Sequence, residues 1–283
     1  MTHNKTPQVS RHTVTVGDLE LSYLEAGSGP PVLLLHGWPT NAELWRTALP
    51  HIAHTHRAIA LDLPGFGQSS KPLDVRYSFR FYQQVLQDFL TQLGLSRVGL
   101  VLHDLGGPVG LYWAVHHPEQ VRELVLLNTL VFPELSWAVK AFVVSTYLPG
   151  VRGLLSSPWG VERSIAVGLQ NQARLTKEVA ERYREPFEST AARKALLKAG
   201  QGLHPKGFET IAQGLPHLVD RPALLLYGEG DRILPDVAQT MERVAAILPQ
   251  AQLQSIAGCG HFLQEDRPQE VAQILGAFFG SVA

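Results

Sequence analysis

The segment Val98–Gly107, which reads VGLVLHDLGG, constrains the fold of this chain more than any other segment. Its first six residues favour a buried strand, Asp104–Gly107 interrupts that strand, and Pro108–His117 has the composition of a helix. A strand, a sharp turn and a helix in this order lift the side chain at the turn above the edge of a sheet and aim backbone N–H groups at it. The sequence therefore predicts an α/β fold in which Asp104 stands at such a turn.

Two later segments support a reactive role for Asp104, since an Asp at a strand end can also bind ribose or a metal, or simply cap a helix. Pro222–Tyr227 is a predicted strand followed by GEGDR, which contains Asp231. Ala251–Ile256 is the last predicted strand, and the turn GCGHF after it presents His261. The three side chains follow strands in the order nucleophile, acid and base. We therefore predict a catalytic triad of Asp104, Asp231 and His261.

Over residues 14–279 the chain resembles the haloalkane dehalogenase and epoxide hydrolase branch of the α/β-hydrolase superfamily. Six segments carry the resemblance: His36–Thr40 (HGWPT), Asp62–Ser69 (DLPGFGQS), His103–Gly107 (HDLGG), Tyr183–Phe187 (YREPF), Gly228–Asp231 (GEGD) and Gly260–Phe262 (GHF). In that branch the acid follows either of two strands. The earlier position, Leu126–Thr129, holds no carboxylate here, so Asp231 is the expected acid.

The rest of the chain alternates between predicted strands and helices. An amphipathic helix is predicted over Phe79–Leu93. Besides those already given, the predicted strands are Thr13–Val16 and Leu19–Glu25, which form a hairpin, and Pro31–Leu35, Arg57–Leu61 and Val121–Leu127. This alternation predicts an α/β-hydrolase fold with a mostly parallel sheet and helices on both faces.

Between Leu130 and Leu215 the alternation stops. This part contains Trp137, Trp159 and three predicted short helical stretches, separated at residues 149–150, 157–158 and 186. An inserted helical cap explains it best, because a separate partner-binding domain would be joined by polar linkers, which are missing. We predict a first part of the core over residues 1–130, a cap over 131–214 and a second part of the core over 215–283.

Composition narrows the class of protein further. The 283 residues are 45% hydrophobic and 17% charged, which is typical of a globular protein with a large core. The formal net charge of −1 and the lack of a basic cluster disfavour a nucleic-acid partner. The polar start, Met1–His12, predicts a cytoplasmic protein that meets no membrane. No HExxH or CxxC pattern occurs, so no metal or cofactor is expected, and the chain should act as a monomer or small homo-oligomer.

An aspartate nucleophile selects the chemistry. Attack on an acyl carbon would give a high-energy anhydride, whereas attack on a saturated carbon gives an ordinary alkyl ester. We expect Asp104 to form this ester with a small apolar substrate and His261, oriented by Asp231, to activate the water that cleaves it. The backbone N–H groups of Trp38 and Leu105 should hold the oxyanion. The expected reaction converts an alkyl halide into an alcohol and halide; epoxide hydrolysis to a diol and a non-dehalogenating hydrolase are the alternatives.

The leaving group is the point where the chain departs from the family. Dehalogenases carry a Trp directly after the nucleophile, whose indole N–H holds the halide, and this chain has Leu105 there. Trp38 stands where many relatives carry Asn. Trp38, Trp137 and Trp159 are the candidate donors to a leaving halide. Epoxide hydrolysis would instead need an acid from the cap, for which Tyr147 and Tyr183 are the candidates. A non-enzymatic scaffold, the remaining alternative, has no need of three reactive residues in register.

Overall fold

A computed structural model describes residues 7–282, which contain one eight-stranded sheet. The strands lie in the order β1-β2-β4-β3-β5-β6-β7-β8, with β2 antiparallel to β1 and β4 and all later neighbours parallel. The strands are β1 (Ser10–Val16), β2 (Leu19–Ala26), β3 (Pro31–Leu35), β4 (Arg57–Leu61), β5 (Val98–Asp104), β6 (Val121–Thr129), β7 (Ala223–Gly228) and β8 (Gln252–Ile256). The predicted sheet, mostly parallel, is confirmed.

Helices flank this sheet and fill the interval between β6 and β7. Helix α1 packs with α12, and α3 packs with α2 and α9, so the two groups cover the two faces. The helices are α1 (Ala48–Ile52), α2 (Phe79–Gln92), α3 (Gly106–His116), α4 (Trp137–Ser145), α5 (Val151–Leu155), α6 (Pro158–Gly168), α7 (Lys177–Arg184), α8 (Thr190–Gln201), α9 (Pro205–Gly214), α10 (Val237–Ile247), α11 (Leu263–Asp266) and α12 (Pro268–Val282).

Burial explains why the central strands were readable from the sequence. Every residue of β5 is buried, because helices cover this strand on both faces. The edge strand β8, by contrast, exposes all of its residues except Ile256. The polar ends of the strands thus collect at one edge of a continuous apolar sheet, which is where ligand sites of open α/β sheets lie.

Two predictions of local structure need correction. Helix α3 begins at Gly106 rather than at Pro108, since Asp104 and Leu105 alone make the turn. The predicted cap holds more than three helical stretches: α4 to α9 all lie between β6 and β7. Hydroxyl side chains cap the starts of α4, α6, α7 and α8 by accepting a backbone N–H bond, and these are Ser136, Ser157, Thr176 and Ser189.

The predicted cap boundary at residue 214 includes α9, which packs on α3 of the core. Phe208 of α9 meets Phe79 of α2 edge to face, with ring centroids 5.3 Å apart. The division into core and cap stays a prediction, and these contacts favour a cap that ends before α9. Over residues 7–282, every helix is too short or too polar to cross a lipid bilayer.

Candidate active site

Asp104 occupies the sharp turn between β5 and α3. Its φ of 48° lies in the left-handed region, which residues other than glycine seldom adopt. The next turn of chain must pass close to β6, because a Cβ atom on Gly107 would overlap the Thr129 hydroxyl. That hydroxyl donates to the backbone carbonyl of Asp104 at 2.7 Å. The neighbouring strand therefore braces the strained turn that presents the Asp104 side chain.

The two carboxylate oxygens of Asp104 have different partners. Oδ1 accepts a hydrogen bond of 2.6 Å from the backbone N–H of Trp38. Oδ2 lies 3.4 Å from Nε2 of His261. The Trp38 segment can approach this closely because residue 37 is glycine, where a Cβ atom would overlap the carboxylate. One oxygen is thus fixed by the backbone and the other faces the imidazole.

His261 is held from its other side by Asp231. Nδ1 of His261 donates to Oδ2 of Asp231 at 2.8 Å. Oδ1 of Asp231 accepts backbone N–H bonds from Ile233 at 2.7 Å and Leu234 at 2.8 Å. These bonds orient the carboxylate and, through it, the ring of His261. The structure thus brings Asp104, His261 and Asp231 together in the order that the sequence predicts.

The charges of this cluster shift the pKa values of its members. Burial alone lowers the pKa of His261, but the carboxylates of Asp231 and Asp104 outweigh it and raise the pKa to about 10. Burial alone raises the pKa of Asp104, yet hydrogen bonding to His261, its positive charge and the Leu105 amide bring the pKa below the usual value. At neutral pH the resting site therefore holds an imidazolium between two carboxylates.

Two further residues contact the predicted base and acid, His261 and Asp231, and the sequence reasoning missed both. Asn128 donates from Nδ2 to Oδ2 of Asp231 at 2.6 Å and accepts from the backbone N–H of Gly228 at 2.9 Å. Nε2 of His103 donates to the backbone carbonyl of His261 at 3.0 Å. Burial and the charge of His261 lower the pKa of His103 to about 4, so its ring stays neutral. The signal for Asn128 was its place at the end of β6, next to β7 in the sheet.

Asp266 ties the turn before His261 to the helices between β6 and β7. Its Oδ2 accepts backbone N–H bonds from Gly260 at 2.7 Å and Gln170 at 3.0 Å, and its Oδ1 accepts one from Asn171 at 2.9 Å. In addition, the backbone N–H of His261 donates to the carbonyl of Gly168 at 2.7 Å. The position of the base therefore depends on the loop that follows α6.

Asp104 and His261 open into a cavity of about 360 Å³. Trp38, Leu105 and Phe262 lie beside them in the lining. Its other walls are mostly aliphatic and aromatic, and include Leu130, Leu135, Val139, Phe142, Val143, Leu155, Phe208, Ile233 and Leu234. A cavity of this size and character suits an apolar organic molecule.

The predicted leaving-group donors are dispersed. Trp38 lines the cavity, but its indole N–H donates to the carbonyl of Leu196 at 3.3 Å. Trp159 lies at the opening, 57% exposed. Trp137 and Tyr147 are 77% and 56% exposed and lie outside the lining, so the structure does not bring these two candidates to the cavity. The cap helices are short, and spacing alone could not tell which of their faces turns inward.

Tyr183, the other candidate acid, already uses its hydroxyl in a hydrogen bond. Its hydroxyl is buried and donates to Oε1 of Glu265, which Arg46 also binds in a two-pronged pair at 2.5 and 2.7 Å. Burial raises the pKa of Tyr183 well above its usual value. Tyr183 thus joins α7 to the core and does not line the cavity. Among residues 7–282, no three His, Cys, Asp or Glu side chains are grouped to hold a metal ion.

Comparison with known proteins assigns this architecture to a family. The family model described as alpha/beta hydrolase fold matches residues 30–268. Haloalkane dehalogenase 2 of Mycobacterium tuberculosis (strain ATCC 25618 / H37Rv) is 31% identical over 268 residues, covering 92% of this chain and 91% of the relative. The cis-3-alkyl-4-alkyloxetan-2-one decarboxylase of Shewanella oneidensis is 30% identical over 281 residues, covering 92% and 85%.

A solved structure gives the same result at the level of the backbone. Haloalkane dehalogenase DbeA from Bradyrhizobium elkani USDA94 superposes with a TM-score of 0.84 at 26% identity. The match covers 97% of this chain and 99% of that chain. The chain therefore belongs to the α/β-hydrolase fold family, in the branch of the haloalkane dehalogenases and epoxide hydrolases.

Proposed function

We propose that this protein is a hydrolase that converts an apolar alkyl halide into an alcohol and halide through a covalent ester on Asp104. The observation that carries the proposal is that the two carboxylate oxygens of Asp104 have different partners. Oδ1 is held by the Trp38 N–H, and Oδ2 stands beside His261 at the floor of an apolar cavity. A carboxylate held in this way is oriented for in-line attack through Oδ2.

The first step forms the bond between Oδ2 and the saturated carbon of the substrate, and the carbon–halogen bond breaks with its electron pair leaving on the halide. The product is an alkyl ester of Asp104 and a free halide. Esterification removes the negative charge of Asp104, which is one of the two charges that raise the pKa of His261. The pKa of His261 then falls, and the ring can lose its proton and act as a base.

The second step cleaves the ester. Neutral His261 takes a proton from water, and the hydroxide attacks the carboxyl carbon of Asp104. Negative charge develops on Oδ1, which the Trp38 N–H already contacts at 2.6 Å. Asp231 stabilises the imidazolium formed in this step. The carbon–oxygen bond that breaks joins the carboxyl carbon to Oδ2, and the departing oxygen takes the proton held by His261, so the alcohol leaves with the original Oδ2 of Asp104. The carboxyl group of Asp104 then gives the proton of the added hydroxide to His261, which restores the carboxylate and the imidazolium.

This route makes a sharp experiment possible. A single turnover in H₂¹⁸O should leave ¹⁸O in the Asp104 carboxyl group and none in the alcohol, read by mass spectrometry of the peptide and product. His261→Ala should accumulate the ester as a mass adduct on the peptide with Asp104. Asp104→Ala should lose halide release altogether. Full turnover by Asp104→Ala, or label in the first alcohol, would overturn the assignment of the nucleophile.

The apolar walls favour leaving groups that depart without a hydrogen bond from a side chain. Leu105 offers no side-chain donor, and the Trp38 indole already bonds to Leu196. We therefore expect bromide and iodide to leave much faster than chloride. A substrate panel of matched alkyl iodides, bromides and chlorides, with released halide measured, tests this order.

A second candidate function is decarboxylation of a four-membered lactone, in which the bond between the ring oxygen and C4 and the bond between C2 and C3 break, giving an alkene and carbon dioxide. It is favoured by the 30% identity to the oxetan-2-one decarboxylase. It also fits a site in which Leu105 has no side-chain donor and the Trp38 indole bonds to Leu196, because ring strain assists a leaving group that stays attached to the substrate. A cis-3,4-dialkyl-oxetan-2-one belongs in the substrate panel, with carbon dioxide release as the readout. An epoxide arm completes the panel; Tyr147 is exposed and Tyr183 bonds to Glu265, so diol formation is not expected.

A further inference from the structure

The helices between β6 and β7 expose many large apolar side chains. Over residues 7–282, ten large apolar side chains are exposed, and eight of them lie between Trp137 and Val167. We call these eight side chains the cap face. Helix α4 buries Val139 alone, and α5 buries none of its residues. Exposed apolar side chains that cluster in this way mark a surface that meets an apolar partner.

The cap face is continuous with the opening of the cavity. Val151, Leu154, Trp159 and Val167 belong to the cap face and also line the cavity. An apolar molecule can therefore pass from whatever covers the cap face to Asp104 along an apolar surface. This continuity sets the cap face apart from Leu73 and Leu253, the two exposed leucines elsewhere on the described chain.

Charge on the cap face indicates the chemistry of its partner. Residues 136–168 contain three basic side chains, Lys140, Arg152 and Arg163, all exposed. Their one acidic side chain, Glu162, pairs with Arg184 at 3.1 Å. The cap face is thus rimmed by cations, although the whole chain has a formal net charge of −1. Aromatic residues amid cations and aliphatic side chains suit the boundary between anionic lipid headgroups and acyl chains.

We propose that the cap face docks on the surface of a bilayer that contains anionic phospholipid, and that apolar substrate enters the cavity from that bilayer. The exposed Trp and Tyr rings would lie at headgroup level, with the cations against lipid phosphates. A second copy of the chain fits less well, because a two-fold contact through this face would bring the same cationic rims together. The docked enzyme lies on the bilayer and does not span it, so this proposal replaces the expectation from the sequence that the protein meets no membrane.

Flotation of the full chain with vesicles tests the proposal. Vesicles of phosphatidylcholine with phosphatidylglycerol should carry the protein, and vesicles of phosphatidylcholine alone should carry much less. Trp137→Ser/Leu148→Ser should weaken binding at least about tenfold, since two interfacial apolar groups are lost. Lys140→Glu/Arg152→Glu should weaken binding to anionic vesicles by more than about fivefold per cation. The matched control, Leu73→Ser/Leu253→Ser, should bind like the parent chain.

Two further measurements keep the outcome clear. Turnover of a short, water-soluble alkyl bromide should be the same in Trp137→Ser/Leu148→Ser as in the parent, which confirms that the fold and active site are intact. Equal flotation of parent and variant, or none with either vesicle, would overturn the proposal. So would a dimer in analytical ultracentrifugation that the Trp137→Ser/Leu148→Ser change abolishes without any effect on lipid binding. Vesicle binding needs no turnover, so it stands or falls separately from the proposed reaction.

Discussion

Two carboxylates raise the pKa of His261, and the charge of one of them can be removed by a substitution of nearly the same shape. Asp104→Asn keeps the hydrogen-bond acceptor for the Trp38 N–H but deletes a negative charge 3.4 Å from Nε2. We expect the pKa of His261 to fall from about 10 by roughly 1–3 units, the effect of one nearby charge. Titration of the His261 ring by NMR measures this change. Asn128→Ala, which leaves both carboxylates, is the control; an unchanged pKa in Asp104→Asn would contradict the coupling.

A side-chain hydrogen-bond donor at residue 105 should speed the release of halide in the proposed reaction. Leu105 is buried beside Asp104 and lines the cavity. In Leu105→Trp the indole N–H could bond the departing halide, a charged hydrogen bond of about 1.5–3 kcal/mol, or on the order of 10- to 100-fold in rate. We expect kcat/KM to rise most for chlorides and least for iodides. Leu105→Phe adds similar bulk without a donor, so an equal gain in that variant would refute the explanation.

Strands and cap helices differ in how well the sequence predicts them. Residues 98–103 and 223–226 are continuous buried runs, so their length and the glycines and polar residues around them identify them as strands. Their order then fixes where Asp104, Asp231 and His261 meet. Helices α4 and α5 bury little. Helix α4 is also apolar on nearly all sides, so the spacing of its apolar residues could not show which side faces the cavity. That is why the pattern could not indicate that Trp137 and Tyr147 lie outside the cavity, whereas it did indicate that Asp104, Asp231 and His261 lie close together.

Arg46 and Tyr183 both bond to Glu265, and these contacts join α7 of the predicted cap to α11 of the core. Glu265→Gln leaves Arg46 without its charge partner. Because about a quarter of the Arg46 side chain is exposed, we expect a loss of about 2–3 kcal/mol in the free energy of unfolding, less than for a fully buried pair. Urea denaturation measures it. Tyr183→Phe removes one hydrogen bond and should cost about 1 kcal/mol. Equal losses in the two variants would contradict an ion pair as the main contribution.

Buried histidines make the whole molecule less stable both at acid pH and at alkaline pH. His103, with its pKa lowered to about 4, is neutral when folded but gains a proton below about 6.5 when unfolded, so stability falls as pH drops from 6.5 to about 4. His261, with its pKa raised to about 10, contributes fully below 6.5, and this contribution is lost as pH rises to about 10. Calorimetry should therefore find the highest Tm near pH 6.5.

His261→Gln separates the two halves of this profile. The variant should lose the decline of Tm between pH 7 and 9 and keep the decline on the acid side, to which buried His36, whose pKa is also lowered, contributes. A parent Tm that stays flat or climbs from pH 7 to 9 would contradict the raised pKa of His261.

Trp38 prevents the cap and the core from being independent modules. Its backbone N–H holds Oδ1 of Asp104, while its indole N–H bonds to the carbonyl of Leu196 in α8. A cap transplanted from a relative would have to supply a carbonyl at the same point, or the buried indole N–H of Trp38 would lose its hydrogen-bond partner. Substrate range in this protein can therefore evolve by substitutions within the cap more readily than by exchange of the cap as a unit.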